Sequence, residues 1–214
     1  MPTSALVIED DDLMRVSLVA ALSSAGINVL ASSKTSAGAI DLARTHFPHV
    51  ALVDLHLGKG PTGIDVAHEL RKIDPRVGIV FLTSFEDPRL IAETRPLPQG
   101  SQYLLKKDVS SIDHIVASLD ASLEGKNRRV RTELASTMSQ LSDVQLETLR
   151  LIAQGLSNTE IARRRHVAEK SIEASITRLL KSLDLPKTQQ SNQRVQLARL
   201  YFESQGLNLD DSEN

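Results

Sequence analysis

The chain of 214 residues has no cysteine, which excludes a disulfide framework and any thiolate metal site. It has no tryptophan, two tyrosines and four phenylalanines, so a core must be built from Leu, Ile, Val and Ala. No apolar run approaches the roughly 20 residues that span a bilayer. The first residues, Met1-Pro2-Thr3-Ser4, lack the basic start and apolar stretch of a signal peptide. These absences lead to the expectation of a soluble, cytoplasmic protein with no membrane partner.

Net charge is small, −2, but it is unevenly placed. Residues 1–124 hold 16 acidic against 11 basic side chains, and residues 125–214 hold 11 against 14. Three of the later acids, Asp210, Asp211 and Glu213, crowd the last five positions. An acidic front and a basic back predict two domains, the second suited to nucleic acid.

Apolar runs at 5–8, 28–31, 50–53, 78–82 and 102–105 have the length of buried strands. Between them lie helical patterns: Leu13, Val16, Leu18, Val19 and Leu22, then Ala39, Ile40, Leu42 and Ala43, then Ile64, Val66, Ala67 and Leu70. A last one carries Ile112, Ile115, Val116, Leu119 and Leu123. The alternation predicts an α/β domain with a five-stranded parallel, doubly wound sheet. Pro88, Pro96 and Pro98 leave room only for a short helix within Arg89–Arg95 before the fifth strand. The basic stretch Gly125–Arg131 reads as a linker, residues 132–140 fit either a helix or a loose segment, and everything after Ser142 reads as helical.

In an open parallel sheet, ligands bind beyond the carboxyl ends of the strands. The first run ends in Glu9-Asp10-Asp11-Asp12, the third in Asp54, the fourth in Thr83-Ser84 and the fifth in Lys106-Lys107. Clustered carboxylates raise one another's pKa unless a cation intervenes. A hard divalent ion such as Mg2+ resolves the conflict. A carboxylate can also attack phosphorus, with lysine and hydroxyl groups beside it to bind phosphoryl oxygens. Acids at a helix start also simply favour its dipole, so the argument rests on the joint occurrence at several strand ends. The histidines at 46, 49, 68, 114 and 166 show no metal-ligand spacing.

On these residues, positions 5–123 resemble a CheY-type receiver domain. The resemblance implies that Asp54 is a phosphoacceptor fed by a histidine kinase. It implies that Glu9, Asp10, Asp54 and the backbone carbonyl of His56 hold Mg2+. It makes Lys106 and Thr83 the phosphoryl-gripping pair, and Thr83 and Tyr103 the switch, with Tyr103 turning inward as Thr83 moves. Two departures are visible: Gly58 stands where a proline is usual, and the loop 58–63 looks one residue longer. A phosphatase using an aspartate nucleophile would need a second acid two residues on, where His56 stands. The chain is therefore expected not to be an enzyme beyond Mg-dependent phosphoryl acceptance and self-dephosphorylation.

The basic half begins with two capping-box patterns, Ser142–Gln145 and Ser157–Glu160, which open two helices. Gly155 ends the first, His166-Val167 forms a turn, and a third helix runs from about Glu169 to Leu183. Two helices around a tight turn make a helix-turn-helix. The segment from Leu141 to Arg163, with its continuation Lys170–Leu180, resembles the NarL/LuxR-type DNA-binding domain. The resemblance implies that 169–183 is a recognition helix in double-stranded DNA, with Lys170, Ser171, Glu173, Ala174, Ser175, Thr177, Arg178 and Lys181 at its exposed positions. A further helix, about 188–204, would support a homodimer through Val195, Leu197, Leu200, Tyr201 and Phe202. Arg165, His166 and Ala168 depart from the usual hydrophobe, glycine and capping hydroxyl.

The expected organisation is a receiver domain 1–124, a linker 125–140, a LuxR-type helix-turn-helix 141–206 and an acidic tail 207–214. The expected function is that of a response regulator transcription factor, phosphorylated on Asp54 to control dimerisation and DNA binding. The rival is a phospho-switched module whose helical domain binds a transcription partner, which the acidic Glu173 favours.

Overall fold

Each of the five apolar runs forms a strand, because the sheet is covered on both faces and alternation is not needed. The computed structural model describes residues 3–91, 95–125, 128–129, 133–185 and 192–207. The strands are β1 (Ser4–Ile8), β2 (Asn28–Ser33), β3 (Val50–Val53), β4 (Gly78–Thr83), β5 (Gln102–Leu105) and a two-residue β6 (Arg128–Arg129). Their order is β2-β1-β3-β4-β5-β6, and every pairing is parallel. The reversal of order beside β1 is the doubly wound plan, which opens a crevice at the carboxyl ends of β1 and β3.

Side chains alternate across the sheet. Ala5, Val7, Leu52, Val80 and Leu82 join Leu18 and Leu22 of α1 (Asp12–Ser24) and Ile115 and Leu119 of α4 (Ile112–Leu123) in one apolar cluster. Leu6, Ile8, Val53, Ile79 and Phe81 are equally buried and point to the other face, where α2 (Ser36–His46) packs beside α3 (Gly63–Ile73). Full burial of such a side chain stabilises by roughly 1.5–3 kcal/mol.

Three local features differ from the sequence expectation. Leu13 and Val16, counted with the apolar face of α1, are 79% and 64% exposed. At 100° per residue they fall on the side of the helix away from Leu18 and Leu22. Among the described residues of the proline-bracketed segment the one helical element is a 3-10 turn, Pro88–Leu90, and residues 95–98 belong to no helix or strand. Proline lacks the N–H and disfavours helix for the residue before it, which here means Arg95 and Leu97. Third, Arg128 and Arg129, placed in the linker, pair with Gln102 and Tyr103 as β6. The chain returning from α4 thereby occupies backbone groups that β5 would otherwise leave open at the sheet edge.

The molecule divides into two compact units. The first contains the sheet and its helices. The second contains α5 (Glu133–Gln140), α6 (Asp143–Ala153), α7 (Asn158–Arg164), α8 (Glu169–Ser182) and α9 (Gln193–Ser204). It also contains Phe85–Leu90, a segment whose place in the sequence is between β4 and β5. Leu149, Ile161, Ile172, Leu179 and Leu197 centre the helical core, and Met138, Leu90 and Tyr201 pack into the same cluster. The expected surface of α9 is largely used up inside this unit: Leu197 and Tyr201 are buried, Leu200 and Phe202 are half-buried, and Val195 stays exposed. The predicted start of that helix, 188–191, and the tail beyond residue 207 lie outside the described residues. Among the described residues, no helix is long and apolar enough to cross a membrane.

Candidate functional site

The acidic run at the end of β1 splits into different tasks. Asp11 caps α1, accepting from the backbone N–H of Met14 at 2.7 Å. Asp12 pairs with Arg15 on the exposed side of the same helix. Glu9 and Asp10 turn the other way and meet Asp54, one carboxylate oxygen of each lying within 4.8 Å of the other two. The dipole reading thus accounts for half of the run, and the strand-end cluster accounts for the other half.

Asp54 follows β3, whose partner β1 ends level with it: the Asp54 N–H donates to the Ile8 carbonyl at 2.8 Å. One carboxylate oxygen of Asp54 accepts from the N–H of His56 at 3.3 Å. The other faces the Lys106 ammonium at 2.9 Å, and the same ammonium lies 2.8 Å from Glu9. Glu9 is 2% exposed and Asp54 is 7% exposed, with Asp10 the most open of the three acids. Lys106 stands at the end of β5, two strands away from Asp54, and its long stem bridges the gap.

Charge sets the pKa directions here. Burial is the largest influence on Lys106 and favours the neutral amine, but Asp54 and Glu9 together outweigh it and its pKa is raised. The stability this adds is complete below the ordinary lysine value of 10.5 and is lost as pH rises through the raised value. Glu9 is also raised, first by burial and then by the charge of Asp54, against the pull of Lys106. Its contribution has the opposite sign: the penalty is absent below 4.5 and grows as pH climbs through the raised value.

Thr83 ends β4 and is fully buried. The register pairs Val53 with Phe81, so Thr83 sits one residue beyond the level of Asp54 on the adjacent strand. Tyr103 lies inward in this structure, 6.4 Å from the Phe81 ring. The structure therefore brings Glu9, Asp10, Asp54 and Lys106 together, with the His56 backbone at the same loop and Thr83 at the next strand end.

Sequence reasoning missed two members of this neighbourhood. Arg15 donates to the Glu9 carbonyl at 3.0 Å and fixes the end of β1. Gly63 opens α3 against the Asp54 strand end, and its N–H donates to Leu55 at 2.9 Å. A Cβ at Gly63 would stand 2.0 Å from the Asp54 carbonyl oxygen. Thr62 and Asp65 form a reciprocal capping box that holds this helix start in place. Gly63→Ala is therefore expected to cost about 3 kcal/mol, the upper end for overpacking, because backbone and not a side-chain tip must yield. The check is a urea midpoint that falls with unchanged m-value; an unaltered midpoint would mean that the helix start shifts freely.

In the helical unit, Ser142 and Gln145 form the full capping box of α6. Ser157 caps α7 with its hydroxyl, but Glu160 does not return the bond. Its carboxylate is instead held by Arg163 and Arg164, which lower its pKa to about 2. His166 forms the turn with φ of 53°, the left-handed conformation that glycine usually supplies. Arg165 donates to the buried Thr148 hydroxyl at 2.8 Å, so the polar replacement finds a polar partner in α6. Ala168 leaves the N-terminus of α8 without a side-chain cap.

α8 buries Ile172, Leu179 and Leu180 and exposes Lys170, Ser171, Glu173, Ala174, Thr177, Arg178 and Lys181, with Ser175 half-buried. Ser175 and Thr177 donate to their own helix, at Ser171 and Glu173. The Nε of Arg178 donates to the Ala174 carbonyl at 3.2 Å, which orients the guanidinium along the exposed face.

Comparison with known proteins covers both units. The pattern of the response regulator receiver domain matches residues 5–120, and that of the luxR family of bacterial regulatory proteins matches residues 139–198. The response regulator protein VraR of Staphylococcus saprophyticus subsp. saprophyticus is 27% identical over 195 residues, covering 86% of this chain and 92% of its own. A probable transcriptional regulatory protein NarL of Mycobacterium tuberculosis is 28% identical over 189 residues, covering 83% and 86%. Among solved structures, RcsB from Salmonella enterica serovar Typhimurium, bound to a promoter in the presence of phosphomimetic BeF3−, shares the fold with a TM-score of 0.60 at 21% identity. That likeness covers 95% of this chain and 99% of the other.

Proposed function

Since this chain belongs to the response regulators, with a receiver domain followed by a LuxR-family helical domain, we propose that Asp54 is its phosphoacceptor and that phosphorylation governs dimerisation and DNA binding. The observation that carries this reading is the cluster at the strand ends, where Asp54 lies within 2.9 Å of Lys106 and beside Glu9 and Asp10.

A partner histidine kinase would present a phosphohistidine. An Asp54 oxygen forms the new bond to phosphorus, the phosphorus–nitrogen bond breaks, and the imidazole leaves with that bond's electron pair on its nitrogen. Lys106 is placed to follow the added negative charge, and the Thr83 hydroxyl to donate to a phosphoryl oxygen. The donor set fits Mg2+: oxygen ligands only, one from each of three carboxylates gathered within 4.8 Å. Glu9, Asp10, Asp54 and the His56 carbonyl would hold the ion, which supplies positive charge against the carboxylates and the incoming phosphoryl group. The protein's catalysis ends with that acceptance and its reversal by water.

The functional division follows as receiver 1–124, linker 125–140, DNA-binding domain 141–206 and tail 207–214. Lys170, Ser171, Glu173, Ala174, Ser175, Thr177, Arg178 and Lys181 on α8 form the reading face for double-stranded DNA, in the cytoplasm, with two copies reading two half-sites. A gel-shift series with genomic fragments tests this, with and without a small-molecule phosphodonor plus Mg2+, over a range of salt. Phosphodonor should tighten binding, and affinity should fall steeply with salt, by a slope of about −0.9 per phosphate contacted. A helical domain that shifts no fragment, or whose binding ignores salt, belongs to a protein-binding module instead. Arg178→Ala should weaken binding by roughly 1–3 kcal/mol; full affinity would displace the reading face from α8.

A further inference from the structure

The exposed face of α8 is basic toward both ends and acidic in between. Lys170 lies in the first turn, Arg178 and Lys181 lie toward the C-terminus, and Glu173 stands between them, fifth in the helix. Ile172, Leu179 and Leu180 are turned into the helical core and fix which way the helix faces. The neighbours of Glu173 are small or already engaged. Ala174 has no polar side-chain group. The hydroxyls of Ser175 and Thr177 donate to the carbonyls of Ser171 and Glu173 within the same helix, at 2.8 and 3.0 Å. Arg178 directs its Nε to the Ala174 carbonyl. Lys170, three residues before Glu173, is at a spacing that allows an ion pair on a helix. Yet among the described residues the Glu173 carboxylate accepts no hydrogen bond and forms no ion pair. It is the one acid on the face assigned to DNA.

We propose that Glu173 selects a cytosine in each half-site of the DNA, an inference that rests on the DNA-binding reading above. The N-terminal part of a recognition helix is the part that meets base edges. In the major groove an unpaired carboxylate faces the phosphates of two strands, and like charges brought together across an interface are penalised. The carboxylate is tolerated where a donor meets it. The donors that bases offer there are the N4 amino group of cytosine and the N6 amino group of adenine. On adenine the amino group is flanked by N7, an acceptor whose lone pair opposes a carboxylate. On cytosine the neighbour on that side is a C–H group, which does not oppose it. Ala174 and Thr177 beside Glu173 are short, so the glutamate reaches past them to the base edge. Glu173 therefore contributes discrimination more than affinity: a site with another base leaves its charge desolvated and without a donor.

The test is selection from a randomised double-stranded DNA pool by full-length protein, with and without phosphodonor and Mg2+, in parallel for the natural chain, Glu173→Gln and Glu173→Ala. Glu173 is exposed and both replacements suit a helix, so the three proteins are expected to fold alike. The natural chain should enrich one cytosine per half-site that Glu173→Gln exchanges for adenine, because an amide pairs with both N6 and N7. Glu173→Ala should accept any base at that position and keep the rest of the site. On the selected duplex, replacing that C·G pair should weaken binding of the natural chain about tenfold and leave Glu173→Ala unchanged. If Glu173→Gln enriches nothing, the substituted duplexes decide: a natural chain indifferent to every C·G replacement in the site overturns the contact. The same selected site from all three proteins, or a base other than cytosine at the position the variants alter, overturns the contact alone and leaves DNA binding standing. A natural chain that enriches no sequence in either state overturns the DNA-binding reading and the contact with it, and returns α8 to a protein-binding role.

Discussion

The Asp54→Asn protein is expected to take up no phosphoryl group from a small-molecule donor with Mg2+, where the natural chain should take one: this is the all-or-none outcome of the proposed phosphoacceptor. The amide is neutral and is not a nucleophile toward phosphorus, yet it matches the carboxylate in size. Lys106 keeps its 2.8 Å contact with Glu9. The charge of Asp54 is one of the influences raising Glu9, so its removal lets Glu9 relax toward its ordinary value of 4.5. The fold is therefore expected to lose nothing, and a urea midpoint equal to or above the natural one should accompany the loss of labelling. Intact mass after incubation gives the primary answer. A mass gain of one phosphoryl group in the variant would move the phosphoacceptor elsewhere.

Lys106→Met should produce the largest loss of stability among single changes at this site. Glu9 and Asp54 are both buried, and one ammonium serves both. Removing one partner of a buried ionic group leaves uncompensated charge and costs about 3–5 kcal/mol. That is a large part of the roughly 5–15 kcal/mol that holds a typical domain together. The sign with pH follows from Glu9, which Lys106 now holds down and whose pKa rises further without it. The deficit should be greatest at neutral pH and shrink on acidification, as Glu9 takes a proton at little cost. Millimolar Mg2+ should restore part of it by supplying positive charge to the same oxygens. Urea unfolding at pH 7.5 and 5.5, with and without Mg2+, reads all three effects. A small deficit that ignores both pH and Mg2+ would mean that Lys106 is a surface residue in energetic terms.

The strands and the chemistry at their ends were legible because they depend on short-range pattern. A strand buried on both faces is written as a plain apolar run, and a polar residue directly after it lies at the rim by geometry alone. That is how Glu9, Asp10, Asp54, Thr83 and Lys106 could be named together. Gly63 could not, because what demands glycine there is the Asp54 carbonyl, nine residues back along the chain but in van der Waals conflict with any Cβ. The sides of α1 and α9 were misjudged for a related reason. Periodicity shows that apolar residues recur, but only the packed neighbours decide which stripe is covered, and α1 leaves Leu13 and Val16 out while α9 draws Leu197 and Tyr201 in. Phe85–Leu90 was the least legible part. Nothing local distinguishes a residue that packs against its own sheet from one that plugs a core formed by the other half of the chain.

That plug also fixes an order of events during synthesis. The ribosome makes Phe85–Leu90 long before α5 to α9, so Phe85 and Leu90 leave the exit tunnel before their socket exists. The helical unit includes in its core a piece of chain that has already emerged. A gene divided anywhere in 125–140 would give the plug to one product and the socket to the other. A helical unit made from such a gene should therefore be less stable than the same unit in the whole chain, by the packing of Phe85 and Leu90 in its core.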